Sequence, residues 1–373
     1  CSLKPREDRL TMVCKMHIDH QGLLMDYEFH NAVIHSHERF TYTQVAELLK
    51  DATNTHPLQP NINDFYQLYQ QLVAQRKLRG SIEFETTETR MVFDDEGKIA
   101  KIIPVMRNDA HKMIEEAMLL ANVCASRFIE KAKMPALYRV HESPNEEKIS
   151  TLRDFLKSFG LRMTGGDKPQ PYDFSKLLKR IESRKDAHLL QTVMLRSLPQ
   201  AVYLPENLGH FGLAFDGYTH FTSPIRRYPD LLVHRAIKAV VLKKTPNLTD
   251  EEQQDMRRFG EHCSMTERRA DRASRSASDW LKCDYMQDKV GQTFDGVIVD
   301  VTGFGLFVEL KDIYVQGLVH ITALKNDYYQ HDAVQHVLSG RQSNTRYRLG
   351  DTVTVMVARV DIDNRKIDFE LVY

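Results

Sequence analysis

Two adjacent arginines, Arg226 and Arg227, stand in the stretch GHFGLAFDGYTHFTSPIRRYPDLLVHRAIKAVVLKK, residues 209–244, between Pro224 and Pro229. Each proline fixes its own φ and pushes the residue before it toward extended backbone, so residues 223–228 are expected to form a stiff loop. Leu231, Leu232, His234, Arg235, Ile237, Val240 and Val241 follow at helical spacing, which predicts a helix packed on one face. Between His220 and Lys244 six Lys/Arg are set against one Asp, in a chain whose formal net charge is zero. Planar cations on a rigid approach to a helix suit a phosphate group. A basic surface loop has the same composition, and from these residues alone the two readings weigh equally.

The elements that must position this loop come from the rest of the chain. With 373 residues, 42% of them hydrophobic, it can bury substantial cores and should divide into two or more domains. No run of about 18 apolar residues and no signal-like segment occurs, which argues against membrane spanning and visible export. The five cysteines form no C-x-x-C pair, which argues against a zinc knuckle or disulfide scaffold and fits a reducing, cytoplasmic setting. Zero net charge requires any nucleic-acid surface to be local.

Residues 10–18 and 23–34 read as a hairpin about the turn Asp19-His20-Gln21-Gly22. A hairpin so near the start has no earlier strand to pair with, and missing N-terminal sequence is expected. Residues 44–50 read as a helix with Thr43 as N-cap, and Tyr42 at that junction reads as a packing residue. After a polar break over 57–63, a helix over 64–78 ends at Gly80. A second hairpin, 81–93 and 98–105, turns at Asp94-Asp95-Glu96-Gly97, acids that serve a tight turn rather than a metal. Phe84, between Glu83 and Glu85, is either core or a base-stacking platform.

Residues 108–133 carry the clearest helical pattern, with His111, Glu115 and Asn122 together on a second face that reads as a solvated stripe. Residues 144–198 read as a helical insertion without chemistry, and 249–289 as a helix laced by i,i+4 charge pairs with Trp280 anchored in the core. Beyond Gly291, five valine-rich strands at 293–300, 306–310, 317–321, 352–361 and 366–372 predict a small closed barrel, with a boundary near Val290.

This last segment resembles the S1 domain, an RNA-binding barrel of the OB type. The matching residues are Gly296-Val297 with Val299, Gly303-Phe304-Gly305-Leu306-Phe307-Val308-Glu309, Gly317-Leu318-Val319-His320-Ile321, Gly350-Asp351, and Val360-Asp361 with Arg365. The resemblance implies an RNA face made of Phe304, Phe307, His320, Asp361 and Arg365. Residues 290–373 hold eight Lys/Arg against eleven Asp/Glu, so this face should depend on stacking more than on diffuse charge.

The body before it resembles the catalytic domain of the ribonuclease II family. The resemblance rests on His220-Phe221-Thr222-Ser223-Pro224-Ile225-Arg226-Arg227-Tyr228-Pro229-Asp230 with His234-Arg235, on Glu267-Arg268-Arg269-Ala270-Asp271, and on Ile114-Glu115-Glu116-Ala117-Met118 with Ala121-Asn122. It implies an α+β chain: residues 1–289 an RNB-type mixed α/β catalytic domain lacking its N-terminal part, and 290–373 a five-stranded OB-fold S1 barrel. Family members remove nucleotides processively from the 3′ end of RNA, with Mg²⁺ held by an aspartate cluster of the form D-x-x-D-x-D-D. No such run occurs in this sequence. Asp94-Asp95 sits in a turn and Asp361 with Asp363 in the barrel, so no metal ligand is expected in this chain.

The family's roles carry over residue by residue. Arg226 matches the arginine on the reacting phosphate, Tyr42 an active-site tyrosine, and Glu115 an active-site acid, with Glu116 the alternative. Glu267 matches a glutamate near the ribose, Phe84 one of two aromatics that clamp terminal bases, and Arg227 joins the RNA-binding set. The resulting expectation is a 3′→5′ exoribonuclease that releases 5′-mononucleotides and whose isolated 373-residue part is inactive. The alternative is a non-catalytic RNA-binding protein of the same family. The expected partner is single-stranded RNA or RNA with a 3′ overhang, bound by a monomer without membrane association, with ribosomes or RNA-decay proteins as further partners.

Overall fold

The computed structural model describes residues 2–51, 56–84, 88–184, 186–243, 250–324, 327–333, 335–343 and 345–373. Strands β1 (Asp8–Ile18) and β2 (Leu24–His35) form an antiparallel hairpin, followed by helices α1 (Tyr42–Lys50) and α2 (Gln59–Arg79). A hairpin of β3 (Thr89–Phe93) and β4 (Ile99–Pro104) leads to the long helix α3 (Asp109–Lys131) and β5 (Tyr138–Val140). Helices α4 (Glu146–Ser158), α5 (Pro171–Ile181) and α6 (Ala187–Ser197) make up the helical insertion. The chain returns through β6 (Val202–Leu204), which pairs with β5, to α7 (Tyr228–Val241) and α8 (Asp250–Gln287).

The remaining strands are β7 (Thr293–Thr302), β8 (Gly305–Leu310), β9 (Gln316–His320), β10 (Tyr329–Asp332), β11 (Val337–Gly340), β12 (Arg346–Arg348), β13 (Thr352–Asp361) and β14 (Lys366–Leu371). Five of them close a barrel in the order β13-β14-β9-β8-β7, as the sequence pattern predicts. Inserted between β9 and β13, strands β10, β11 and β12 form a separate three-stranded sheet that the pattern did not reveal. Gly305 is required at the β7–β8 corner: its φ is +152°, and a Cβ there would lie 2.3 Å from the Val319 carbonyl oxygen.

Local chemistry moves several expected boundaries. The N-cap of α1 is Thr41, not Thr43: its Oγ1 accepts from Gln44 N at 3.2 Å, and the Gln44 side chain returns to Thr41 N at 2.7 Å. Helix α2 starts five residues before the expected position, because Pro60 lies in the first turn, where no N–H is needed. Gly80 closes that helix in the left-handed region, as expected. The first strand of the second hairpin spans only Thr89–Phe93; residues 81–84 are not strand, and 85–87 lie outside the described residues. Trp280 is 47% exposed rather than anchored, because Leu281, Cys283 and Met286 occupy the core-facing side of α8.

One hydrophobic core runs from α4, α5 and α6 through the end of α8 into the barrel, joining Leu152, Phe155 and Leu190 with Met286, Ile298 and Val308. A second packs β1 and β2 against α3 and α7 through Phe29, Cys124, Ile129, Phe221, Val233 and Ile237. Among the described residues no helix is long and apolar enough to cross a membrane.

Candidate RNA site

The arginine loop is fixed at three points. Asn122 of α3 is 3% exposed; its Oδ1 accepts from Phe221 N at 2.9 Å while its Nδ2 donates to Tyr218 Oη at 2.9 Å. The expected solvated stripe is therefore wrong at Asn122, which is a buried anchor. His234 Nε2 bonds the Phe221 carbonyl at 2.8 Å. Asp230, 0% exposed, accepts through Oδ1 from Ser223 N at 2.7 Å and from Arg227 Nη2 at 2.8 Å.

Between these anchors the turn is tight: Arg226 N and Arg227 N both donate to the Ser223 carbonyl, at 3.2 and 3.0 Å. Arg226 is exposed, and among the described residues its guanidinium has no hydrogen-bond or ion-pair partner. Arg227 is turned back into the protein. The loop thus presents one free planar cation and uses the other to hold itself.

Helix α3 links this loop to the other expected residues. Asn108 caps it in a reciprocal capping box with His111, and His111 stacks on Tyr42 with ring centroids 3.9 Å apart and planes at 21°. One turn on, Glu115 pairs with Arg107 and lies 3.7 Å from Arg76 Nη1. Its neighbour Glu116 is buried and accepts from Arg76 Nη1 at 2.6 Å. Burial opposes the charge on Arg76, but the Glu116 hydrogen bond and the Glu83 and Glu115 carboxylates hold its pKa above the ordinary value. His111, Glu115 and Asn122 lie along one face, about 17 Å from first to last at 1.5 Å per residue. Phe84 adjoins this cluster through Glu83 and is half-buried against the core.

Glu267 of α8 is held by Arg139 of β5 through two hydrogen bonds of 2.7 and 3.1 Å, not by a helix neighbour as the charge pattern implied. Arg139 lies over the Tyr203 ring at 4.6 Å, and Tyr203 Oη is 2.7 Å from His220 Nδ1. Burial first, then Arg227 and Arg139, push the His220 pKa down to about 2, and burial with His141 pushes His210 down to about 3. Both imidazoles are thus neutral, and the net positive charge beside the loop belongs to arginine. The anchoring roles of Asn122 and Asp230, and the pairing of Arg139 and Arg76 with Glu267 and Glu116, were not read from the sequence; they emerge only from the contacts the fold makes.

On the barrel, Phe304 is 51% exposed and meets Phe307 edge to face at 5.9 Å. The register places Gly305 opposite His320 and Phe307 opposite Leu318, so rings and histidine are neighbours. His320 Nδ1 is 2.7 Å from Thr322 Oγ1. Asp361 and Arg365 stand at the β13–β14 turn instead, where two Asn364 hydrogen bonds of 3.0 Å keep the Asp361 carboxyl below its usual pKa. Asp361 is also paired with Arg359 at 3.2 Å.

The magnesium implied by the family resemblance finds no fit here. Among the described residues no group of three His, Cys, Asp or Glu converges to hold a metal. Asp230 Oδ2 is buried without a partner, but a single carboxylate oxygen is not an octahedral site.

Residues 1–243 match the RNB domain and residues 287–371 the S1 RNA binding domain. The chain belongs to the RNB family, with an S1 domain following. Over its whole length it is 50% identical to ribonuclease R of Vibrio cholerae and 49% identical to that of Escherichia coli, covering 47% of each. It thus spans about half the length of the curated relatives it matches. Apo RNase R of Mycoplasma genitalium superposes with a TM-score of 0.93 at 29% identity, over 100% of this chain and 59% of that one. The same enzyme in complex with ribose-methylated single-stranded RNA gives 0.92 at 28% identity, with the same coverage.

Proposed function

We propose that this chain is part of a 3′→5′ processive exoribonuclease that hydrolyses RNA to 5′-mononucleotides. The observation that carries the reading is Arg226: an unpaired guanidinium on a turn fixed by Asn122, His234 and Asp230. A planar cation so held can donate to the phosphoryl oxygens where charge develops, without reorganising when the substrate arrives. Tyr42 at the start of α1, stacked on His111 of α3, and Glu115 of α3, braced by Arg76 and Arg107, act as its active-site partners. Glu267 accepts from the ribose 2′-hydroxyl, Phe84 packs on a terminal base, and Arg227 supports the RNA side of the loop.

The division is a catalytic body over residues 1–289 and an S1 barrel over 290–373, whose Phe304, Phe307, His320, Asp361 and Arg365 hold incoming single-stranded RNA. Among the described residues no group would hold Mg²⁺, the ion that would supply an activated water in the complete enzyme. The 373-residue chain alone therefore binds RNA without cutting it.

The test pairs the full-length protein with this chain. With a 3′-tailed RNA and Mg²⁺, the full-length protein should release mononucleotides and the chain none; release by the chain would overturn the incomplete-centre reading. In the full-length protein, Arg226→Ala should lower turnover by about 10²–10³ with little change in RNA affinity. Lost affinity at unchanged turnover would reduce Arg226 to a backbone-positioning role.

A further inference from the structure

The three-stranded sheet inserted in the barrel has no part in the reading above. Its register aligns Gln330 with Ser339 and Arg346, and Asp332 with Val337 and Arg348. Exposure alternates on its outer strands: Gln330 and Asp332 are exposed on β10, and Arg346 and Arg348 on β12, while Tyr347 between them is buried. The ladder continues past β10 and β11, since Arg341 N donates to the Tyr328 carbonyl at 3.0 Å. Alternation places Tyr328 and Arg341 on the same face as Arg346 and Arg348. Tyr328 is 80% exposed.

Charge is concentrated here. Residues 290–373 hold eight Lys/Arg, and three of them lie on this one face. Among the described residues none of the three guanidinium groups has an ion-pair or hydrogen-bond partner. Among the described residues, in contrast, no cation is seated over the ring of Phe304 or Phe307, and Arg359 is paired with Asp361. Asp332 on this face caps Gln335 N at 2.9 Å, and the nearby Asp351 and Asp327 carboxylates accept from the backbone N–H groups of Arg348 and of Gln342 and Ser343.

The sheet also adjoins the β7–β8 turn that precedes the rings. On the reverse face of β10, His331 Nε2 bonds the Val301 carbonyl at 3.1 Å. A Cβ on Gly303 would lie 4.0 Å from His331 Nδ1, so the sheet stands beside the turn that carries Phe304.

We infer that the face bearing Tyr328, Arg341, Arg346 and Arg348 is a second contact surface for single-stranded RNA, continuing the path begun at Phe304 and Phe307. The rings stack bases, and the arginine face neutralises the phosphates that the otherwise acidic barrel does not. An acidic protein segment would meet the same arginines, but the exposed tyrosine and the continuity with the rings favour nucleic acid. The inference rests on the reading of Phe304 and Phe307 as the RNA face, and the test separates the two.

Anisotropy titrations would follow a fluorescent oligouridylate of about 16 nucleotides binding to the full 373-residue chain in EDTA, over a range of salt. The triple variant Arg341→Gln, Arg346→Gln, Arg348→Gln should weaken binding about tenfold at low salt and reduce the slope of log K against log salt by about 2. Tyr328→Ala should weaken binding at an unchanged slope, as should Phe304→Ala with Phe307→Ala. The three arginines, Tyr328 and Phe304 are exposed and Phe307 is half-buried, and an unchanged melting temperature checks the fold. Wild-type affinity and slope in the triple variant overturn the proposal and leave the arginine face to a protein partner. A neutral ring variant overturns the ring-face reading instead, and the slope of the triple variant still decides the sheet.

Discussion

At Asp230 a carboxylate with no exposed surface accepts from Ser223 N and from Arg227 Nη2, so residues on both sides of Arg226 share one acceptor. Removing it leaves a half-buried guanidinium and a backbone N–H without their partner. Asp230→Ala should therefore cost about 3–5 kcal/mol in urea denaturation, and Asp230→Asn, which still accepts from Ser223, less. A loss under about 1 kcal/mol would show that the turn holds itself without this anchor. His210 and His220 give the same region an acid lability. Their folded pKa values, about 3 and about 2, lie below the ordinary 6.5, so the unfolded chain takes up protons first as pH falls. Their contribution is full above about pH 6.5 and declines below it by about 1.4 kcal/mol per pH unit for each imidazole, down to about pH 3. Urea midpoints between pH 7 and pH 5 should fall more steeply for wild type than for His210→Gln with His220→Gln. Parallel slopes would place that lability elsewhere.

Helix α3 is the element that joins the loop to the rest of the site, and most of it was legible. Its apolar period gave the helix, and the flanking Asn108 and Pro135 bracket the observed ends. The function of Asn122 was not legible, because a polar residue on a helix looks the same in sequence whether it meets water or a backbone amide. Replacing it by alanine strands the Phe221 N–H and the Tyr218 hydroxyl. Asn122→Ala should destabilise the chain by about 1–3 kcal/mol, read from the denaturation midpoint, and a surface asparagine would show no such loss. The barrel divides in the same way. Valine alternation and glycine corners revealed its five strands, whereas β10, β11 and β12 are three or four residues each and too short for a period to emerge. The Arg226 loop was legible for a different reason: two prolines and a local charge excess act through neighbouring residues alone, while its anchor Asn122 lies 99 positions from Phe221 and meets it only through the fold.

At the scale of the whole molecule the barrel is not a bead on a string. The core that holds Phe155 and Leu190 of the insertion also holds Met286 at the end of α8 and Ile298 and Val308 of the barrel. Arg196 of α6 pairs with Asp300 of β7 at 3.0 Å, and Phe155 meets His336 edge to face at 5.9 Å. An exposed ion pair adds little, so the shared apolar core must carry the coupling. Body and barrel should then unfold together. Trp280, the only tryptophan, lies on α8 near this junction and reports on it by fluorescence, while far-ultraviolet circular dichroism reports on the helices of the body. The two probes should give coincident thermal transitions. Met286→Ala, which empties a fully buried site in the shared core, should lower both midpoints together, at a cost of about 2–5 kcal/mol. If fluorescence moves and circular dichroism does not, the barrel is a separate folding unit, and RNA held on it would be tethered to the arginine turn rather than rigidly aligned with it.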